Sequence, residues 1–400
     1  MLHNFSWGGL VARASLLASS ANHLGAREVD TYTEKATIAI QRLNDDWYNA
    51  ATGIWDNAWW NSGSAMATLA DFTMLRLDVA NKLNLGGIMR TTFTNAQKTH
   101  LLSMKTMHNG LVLSTYCLDQ NEGCMAKRDF LGKRGFDDFI NEFYDDEGWW
   151  ALAWIRCHDA AGDADFLEAA IDLFNDMGTG AGTPCGGGIY WNKERKYVNA
   201  IANELYFSVA ASLSRRVPGN STYLEIAKKQ WKWFEASGMI NKKGLINDGL
   251  NGNCKNNNLQ TWSYNQGVIL GGLVELALAT GDGALIEKAH RIAYAAIKEL
   301  TNDDGILIEA DDCELKDGHC GKDGQQFKGI LIRNIHYLHK ASPKDLYRRL
   351  IIKNADSIWK NNRNNRNQLG VAWTGPYVDA TGPSHSSALD VLVAAIGVAQ

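Results

Sequence analysis

The chain has 400 residues, 45% hydrophobic and 21% charged, which excludes global disorder and suits either two average domains or one large barrel. Forty basic and 44 acidic side chains leave a net charge of −4, so nothing electrostatic draws the chain to nucleic acid or an anionic membrane. No apolar run approaches the ~18 residues of a membrane span.

Residues 1–26 read either as a weak secretory signal, with Arg13 ahead of the small-apolar run Ala14 to Ala21, or as a polar-apolar tail. Beyond them, hydrophobic periodicity predicts helices over 32–51, 62–82, 95–107, 147–162, 164–177 and 199–216, and again over 220–237, 262–281, 283–301, 325–341, 343–363 and 384–399. Further helix is expected over 136–144, and sustained strand alternation is absent. The helices near 32, 95, 164, 220, 283 and 343 carry charged faces. Those near 62, 147, 199, 262, 325 and 384 are small and apolar nearly all round, the mark of a buried helix.

The second set recurs about every 60 residues, as repeated helical hairpins do. Six outer and six inner helices make an all-α fold, an (α/α)6 barrel, and no linker divides residues 27–400, so one domain is expected. An open solenoid would need polar capping repeats, yet the final helix around Ser387 to Ile396 is as apolar as the rest. In a closed barrel the inner-helix N-termini gather at one end. The loops around Trp55 to Asn61, Tyr144 to Trp150, Gly186 to Trp191, Thr261 to Gly267 and Asp323 to Gly329 would then converge on one cleft.

Seven cysteines lean toward an oxidising compartment. Cys117/Cys124 and Cys313/Cys320 share one spacing within Gly/Asp-rich loops and are expected as disulfides, with Cys185–Cys254 as a third. Cys157, within an apolar helix, is expected as a buried thiol. No CxxC or HxxxH accompanies the cysteines, and the acidic pairs Asp303-Asp304 and Asp311-Asp312 lack calcium-ligand alternation, so no metal is expected. Asn220-Ser221-Thr222 is a glycosylation acceptor sequence.

Aromatic faces, amides and carboxylates without a phosphate loop describe a carbohydrate cleft. Asp145 and Asp146, directly before an apolar helix, are either caps at the positive end of its dipole or an acid-base pair. Trp149-Trp150 one turn later and the converging loops favour chemistry.

The run Phe143-Tyr144-Asp145-Asp146-Glu147-Gly148-Trp149-Trp150-Ala151-Leu152-Ala153-Trp154 resembles the signature of glycoside hydrolase family 76, the endo-α-1,6-mannanases. The resemblance extends through Trp55 to Trp60, Gly186 to Trp191, Lys196 to Leu205, Asn247 to Gly249, Tyr264 to Gly267 and Gln326 to Gly329, in family order over about 32–399. It implies the (α/α)6 barrel and retaining hydrolysis of α-1,6-mannosidic bonds without a cofactor, with Asp145 as nucleophile and Asp146 as acid/base. Asn203, Tyr264, Asn265 and Gln266 match family motifs and are expected either to bind mannose hydroxyls or to satisfy helix ends. Trp59, Trp60 and Trp191 are candidate stacking platforms or core residues, Gln326 a candidate cleft lining, and Asp248 a turn residue. The expected protein is a secreted or cell-wall enzyme acting as a monomer on α-mannan. A transglycosidase of the same family, joining glycolipid-anchored wall proteins to glucan, and a non-catalytic mannan-binding barrel are the alternatives.

Overall fold

The computed structural model describes residues 8–98, 102–108, 111–117, 138–316 and 319–400. In chain order the helices are α1 (Gly8–Trp47), α2 (Trp59–Leu75), α3 (Leu77–Lys82), α4 (Leu85–Ala96), α5 (Tyr144–Ala161), α6 (Ala164–Gly178), α7 (Ala200–Arg216) and α8 (Thr222–Ala236). There follow α9 (Ser263–Thr280), α10 (Gly283–Leu300), α11 (Gly321–Gly324), α12 (Phe327–Ala341), α13 (Asp345–Asn361) and α14 (Gly382–Ala399). Three two-stranded antiparallel ribbons accompany them: β1–β2 (Tyr48–Asn49, Ile54–Trp55), β3–β4 (Leu102–His108, Leu111–Cys117) and β5–β6 (Val198–Asn199, Gly249–Leu250). No described helix is long and apolar enough to cross a membrane.

Helices α2, α5, α7, α9, α12 and α14 touch in that order, and α14 returns to α2, so the ring is closed. This is the expected (α/α)6 barrel. Helix α9 shows why it lies inside: nearly every residue from Ser263 to Ala277 is buried. Its partner α10 is amphipathic and buries one stripe, Leu285, Ala289, Ile292, Ala293, Ala296 and Ile297. Two glycines let the inner helices approach closely. A Cβ on Gly267 would lie 2.7 Å from the Leu331 Cα of α12, and one on Gly329 2.5 Å from the Ser387 carbonyl oxygen of α14.

A buried polar knot closes the seam. Arg333 of α12 donates from Nε and Nη2 to the Asp390 carboxylate of α14 at 2.9 and 2.7 Å. The same Nη2 donates to the Ser64 hydroxyl and carbonyl and to the Thr68 hydroxyl of α2, at 2.8, 3.0 and 3.1 Å. Both charged side chains are nearly inaccessible, so each needs the other.

Several expectations are corrected. The helix expected over 95–107 is not formed: the outer layer there is α3 and α4, α4 ends at Ala96, and Leu102–His108 and Leu111–Cys117 are the paired strands β3 and β4, with Leu102 opposite Cys117 and His108 opposite Leu111. Thr106, Val112, Thr115 and Tyr116 suit strands, and pairing between β3 and β4 outweighs helical periodicity. The helix expected over 62–82 breaks at Arg76, whose φ of −141° and ψ of 64° are not helical. Residues 138–143 are turn and extended chain, so α5 starts cleanly at Tyr144.

Cys185–Cys254 and Cys313–Cys320 form disulfides with Cα separations of 5.3 and 4.8 Å, and Cys157 is a buried thiol. The Cys117–Cys124 pair lies outside the described residues. Asn220 is exposed at the start of α8.

The seam generates a stability prediction. Arg333→Met strands a buried carboxylate and should cost about 3–5 kcal/mol in urea unfolding, whereas Arg333→Met with Asp390→Leu should recover most of it. Equal losses in the single and double variants would show that the pair does not close the ring.

Candidate active site

The site is built on the first turn of α5. Phe143 is its extended cap residue, paired with Asn192 across an isolated bridge, and the Tyr144 amide donates to the Trp191 carbonyl at 3.0 Å. The loop ending at Trp191 is thereby fixed beside the helix start. Asp145 is 6% exposed, and its Oδ2 accepts from Trp191 Nε1 at 3.0 Å and from Lys105 Nζ at 3.1 Å. Its Oδ1 is buried and has no hydrogen-bond partner among the described residues.

Asp146 is fully buried. Its Oδ2 accepts from Asn141 Nδ2 at 2.6 Å and from the Tyr116 hydroxyl at 3.1 Å, while Oδ1 accepts from Lys105 at 2.5 Å. Burial pushes its pKa up to about 7, with the Lys105 charge opposing and the Asp145 charge adding to the rise. Burial works against the Lys105 ammonium, but the charges of Asp145, Asp146 and Asp323 prevail and hold it protonated. Glu147 faces away and pairs with Lys193 at 2.7 Å.

Residues from four inner helices, from the β3–β4 hairpin and from the connecting loops meet here. Trp60, Lys105, Val112, Asp145, Trp149, Trp191, Asn199, Asp248, Tyr264, Asp323 and Phe327 surround a residual cavity of about 20 Å³. Trp60 stacks on Trp149 with centroids 5.2 Å apart, Trp149 faces Tyr264 at 6.3 Å, and Tyr264 lies on Phe327 at 3.8 Å. The result is an aromatic wall beside two carboxyl groups. Lys105 and Asn199 stand outside the sequence candidates, Asp323 and Phe327 lie in a loop expected to reach the cleft, and Asp248, expected as a turn residue, lines the cavity. Burial raises Asp248 to about 6, against a hydrogen bond from the Tyr197 hydroxyl. Its signal was the Asn247-Asp248-Gly249 motif.

The other sequence candidates lie elsewhere. Trp59 points into the core, 5.4 Å from Trp150, because adjacent helical residues diverge. Asn203 holds the Ile189 amide and carbonyl at 2.8 and 2.9 Å, and Gln266 holds those of Ile246, both at 2.8 Å. Their amides are spent on pinning loops. Gln326 accepts from Ser386 Oγ at 2.9 Å between α12 and α14. Asn265 is fully buried outside the cavity wall, its amide without a partner among the described residues.

A larger cavity of about 630 Å³ opens at the opposite mouth and shares Trp149 with the site. Its charged groups neutralise one another, Arg216 against Asp159 and Glu275, so it holds no free acid-base pair.

Buried carboxyls beside aromatic faces, at the N-terminal mouth of an (α/α)6 barrel, define a glycoside hydrolase. The chain belongs to glycosyl hydrolase family 76, whose model matches residues 30–397. It is 24% identical over 322 residues to the mannan endo-1,6-alpha-mannosidase DFG5 of Candida albicans, covering 76% of this chain and 64% of that one. It is 29% identical over 250 residues to the Saccharomyces cerevisiae DFG5, covering 57% and 54%. The chain thus spans about half to two thirds of these curated relatives. Among solved structures, an inactive variant of the alpha-1,6-mannanase GH76A of Salegentibacter sp. HEL1_6, in complex with alpha-1,6-mannotriose, superposes with a TM-score of 0.70 at 18% identity, covering 92% of this chain and 99% of that one. That variant carries asparagines in place of two consecutive aspartates. Dfg5 from Chaetomium thermophilum in complex with glucosamine also gives 0.70, at 19% identity, covering 93% and 90%.

The buried acids generate a pH prediction. Asp146, Asp248 and Glu309 rise to about 7, 6 and 7, chiefly through burial, while an unfolded chain titrates them near ~4. Each folded pKa lies above its unfolded value, so the stability contributed by protonation is full below ~4 and is lost as pH climbs through 6 to 7. The thermal midpoint should be higher at pH ~5 than at pH ~8. A flat or rising midpoint would contradict neutral buried carboxyls.

Proposed function

We propose that this protein is a retaining, endo-acting hydrolase of α-1,6-mannosidic linkages, with Asp145 as nucleophile and Asp146 as acid/base. The observation that carries the reading is the contrast within the pair. Asp146 is buried, hydrogen-bonded and raised to about 7, which suits a proton donor near neutrality. Asp145 has one oxygen held by Trp191 and the other unpartnered among the described residues, at the positive end of the α5 dipole.

In the first step Asp146 protonates the glycosidic oxygen, the C–O bond breaks, and Asp145 Oδ1 bonds to the anomeric carbon. In the second, Asp146 takes a proton from water, which attacks that carbon and releases Asp145. The aromatic wall supplies apolar faces for sugar rings. The substrate class rests on the family and on the mannanase and mannosidase names of its relatives. Two disulfides and the exposed acceptor Asn220 support a secreted or cell-wall location.

The test is Asp145→Asn and Asp146→Asn, assayed on linear α-1,6-mannan with product anomers followed by NMR. Each should lose about 10²–10⁴-fold in kcat while circular dichroism shows the helical fold retained. Azide should restore turnover of an activated aryl α-mannoside in Asp146→Asn and not in Asp145→Asn. Wild-type kcat should fall as pH rises through about 7, where Asp146 loses its proton. Near-normal turnover in either variant would refute the pair, and longer products instead of shorter ones would mark a transglycosidase.

A further inference from the structure

The β3–β4 hairpin belongs to none of the barrel's helical repeats, yet it fills the mouth above the aspartates. Side chains alternate along a strand, so Ser103 and Lys105 share one face with Val112, Ser114 and Tyr116 opposite them. That face looks into the barrel. Lys105 is 2% exposed and sits against both carboxylates, 4.8 Å from the Phe143 ring centroid and 5.8 Å from that of Trp191. Tyr116 donates to Asp146, the Ser114 amide donates to Asp323 at 2.6 Å, and Ser103 donates to Glu142. The opposite face is outward: Thr106 and Leu113 are exposed.

Two facts make this arrangement incompatible with a bound sugar. The cavity left beneath the hairpin is about 20 Å³, room for about one water and far too little for a sugar ring. Lys105 also places its charge where the reaction needs one. The transition state of glycoside hydrolysis carries positive charge on the sugar between two carboxyl groups, and the ammonium already touches both. Aromatic faces on either side favour a cation there, whichever it is.

We infer that the hairpin is a built-in competitor of substrate, with Lys105 standing in the place of the reacting sugar until a glycan displaces it. The inference rests on the mannanase reading above. Displacement exchanges the hairpin's hydroxyl, amide and ammonium contacts for those of sugar hydroxyls. Because the competent state is a fraction of the whole, every substrate binds more weakly by that fraction. A long chain can offset this through contacts beyond the reacting sugar; a short one cannot. The strap therefore weakens binding of polymeric α-1,6-mannan and of short oligosaccharides by the same factor, and only the polymer has further contacts to set against it.

The test compares the wild type with Lys105→Met on linear α-1,6-mannan and on α-1,6-mannotriose. Lys105→Met should raise kcat/KM by about tenfold on both the trisaccharide and mannan, through KM. If Lys105 instead serves the chemistry, kcat falls on both substrates and the proposal is overturned. Hydrogen exchange of residues 102–117 in the wild type, with and without a sulfur-linked α-1,6-mannotriose, covers a variant that folds poorly. Faster exchange with the sugar supports displacement, and slower or unchanged exchange overturns it. An active wild type without a gain in Lys105→Met removes the strap alone. Inactivity of both proteins, with no binding of mannan, removes the functional reading and the strap with it.

Discussion

Arg333 reaches from α12 to Asp390 on α14 and to Ser64 and Thr68 on α2, and the ring of inner helices closes across that knot. A hydrophobic seam could also close a ring, but it would leave register loose. A bidentate pair with two further acceptors fixes it, since a slipped helix would strand a buried charge. With register set, all six inner helices run parallel. Trp60, Asp145, Tyr264 and Phe327 come from the first turns of four of them and line one cavity. Met74, Arg156, Arg215, Leu278 and Lys340 come from the far ends and line the other.

Parallel helices also sort the charges. Each first turn presents unpaired N–H groups and partial positive charge, and each last turn the reverse. The N-terminal mouth holds Asp145, Asp146, Asp248 and Asp323 around Lys105, and the opposite mouth holds Arg156, Arg215, Arg216 and Lys340 with Asp159 and Glu275. Burial is the main cost to these acids, and the Asp145 charge adds to it at Asp146 and Asp248, so Asp146, Asp248 and Asp323 all move toward protonation. Burial at this mouth, against the helix dipole and the Lys105 charge, therefore supports a neutral acid at Asp146.

The barrel was legible because burial and helical period coincide in it. A helix with no polar face, such as α9, announces an interior position, and its charged partner announces the outside. The aspartate pair was legible for a different reason, since two acids before Trp149-Trp150 break the pattern of a simple cap. Lys105 was not legible. It is a lone cation in an alternating stretch, and only the tertiary placement of β3 brings it to Asp145, 40 residues away. Asp248 was read as a turn residue because Asn247 and Gly249 flank it; its place ahead of strand β6 and its burial beside Tyr197 are long-range facts.

Two of the candidates that lie outside the site, Asn203 and Gln266, follow a rule the repeats make visible. The fourth residue of α2, α5, α7, α9 and α14 is Ser62, Glu147, Asn203, Gln266 and His385, and each holds backbone of a loop. Ser62 accepts from the Trp55 amide, Glu147 from Asn141, Asn203 from Ile189, Gln266 from Ile246, and His385 Nδ1 from Leu369. The second residue is Trp60, Asp145 or Tyr264 in the three helices that contribute a side chain from that position to the wall. Two steps along a helix turn a side chain through about 200°, so these positions face opposite ways. One looks into the mouth and the other back at the loop that delivered the helix. Tyr264 and Gln266 therefore part company within a single motif, and Asp145 and Glu147 do the same. The acid that serves chemistry and the acid that serves the fold are separated by where they fall in the helical turn, not by residue type.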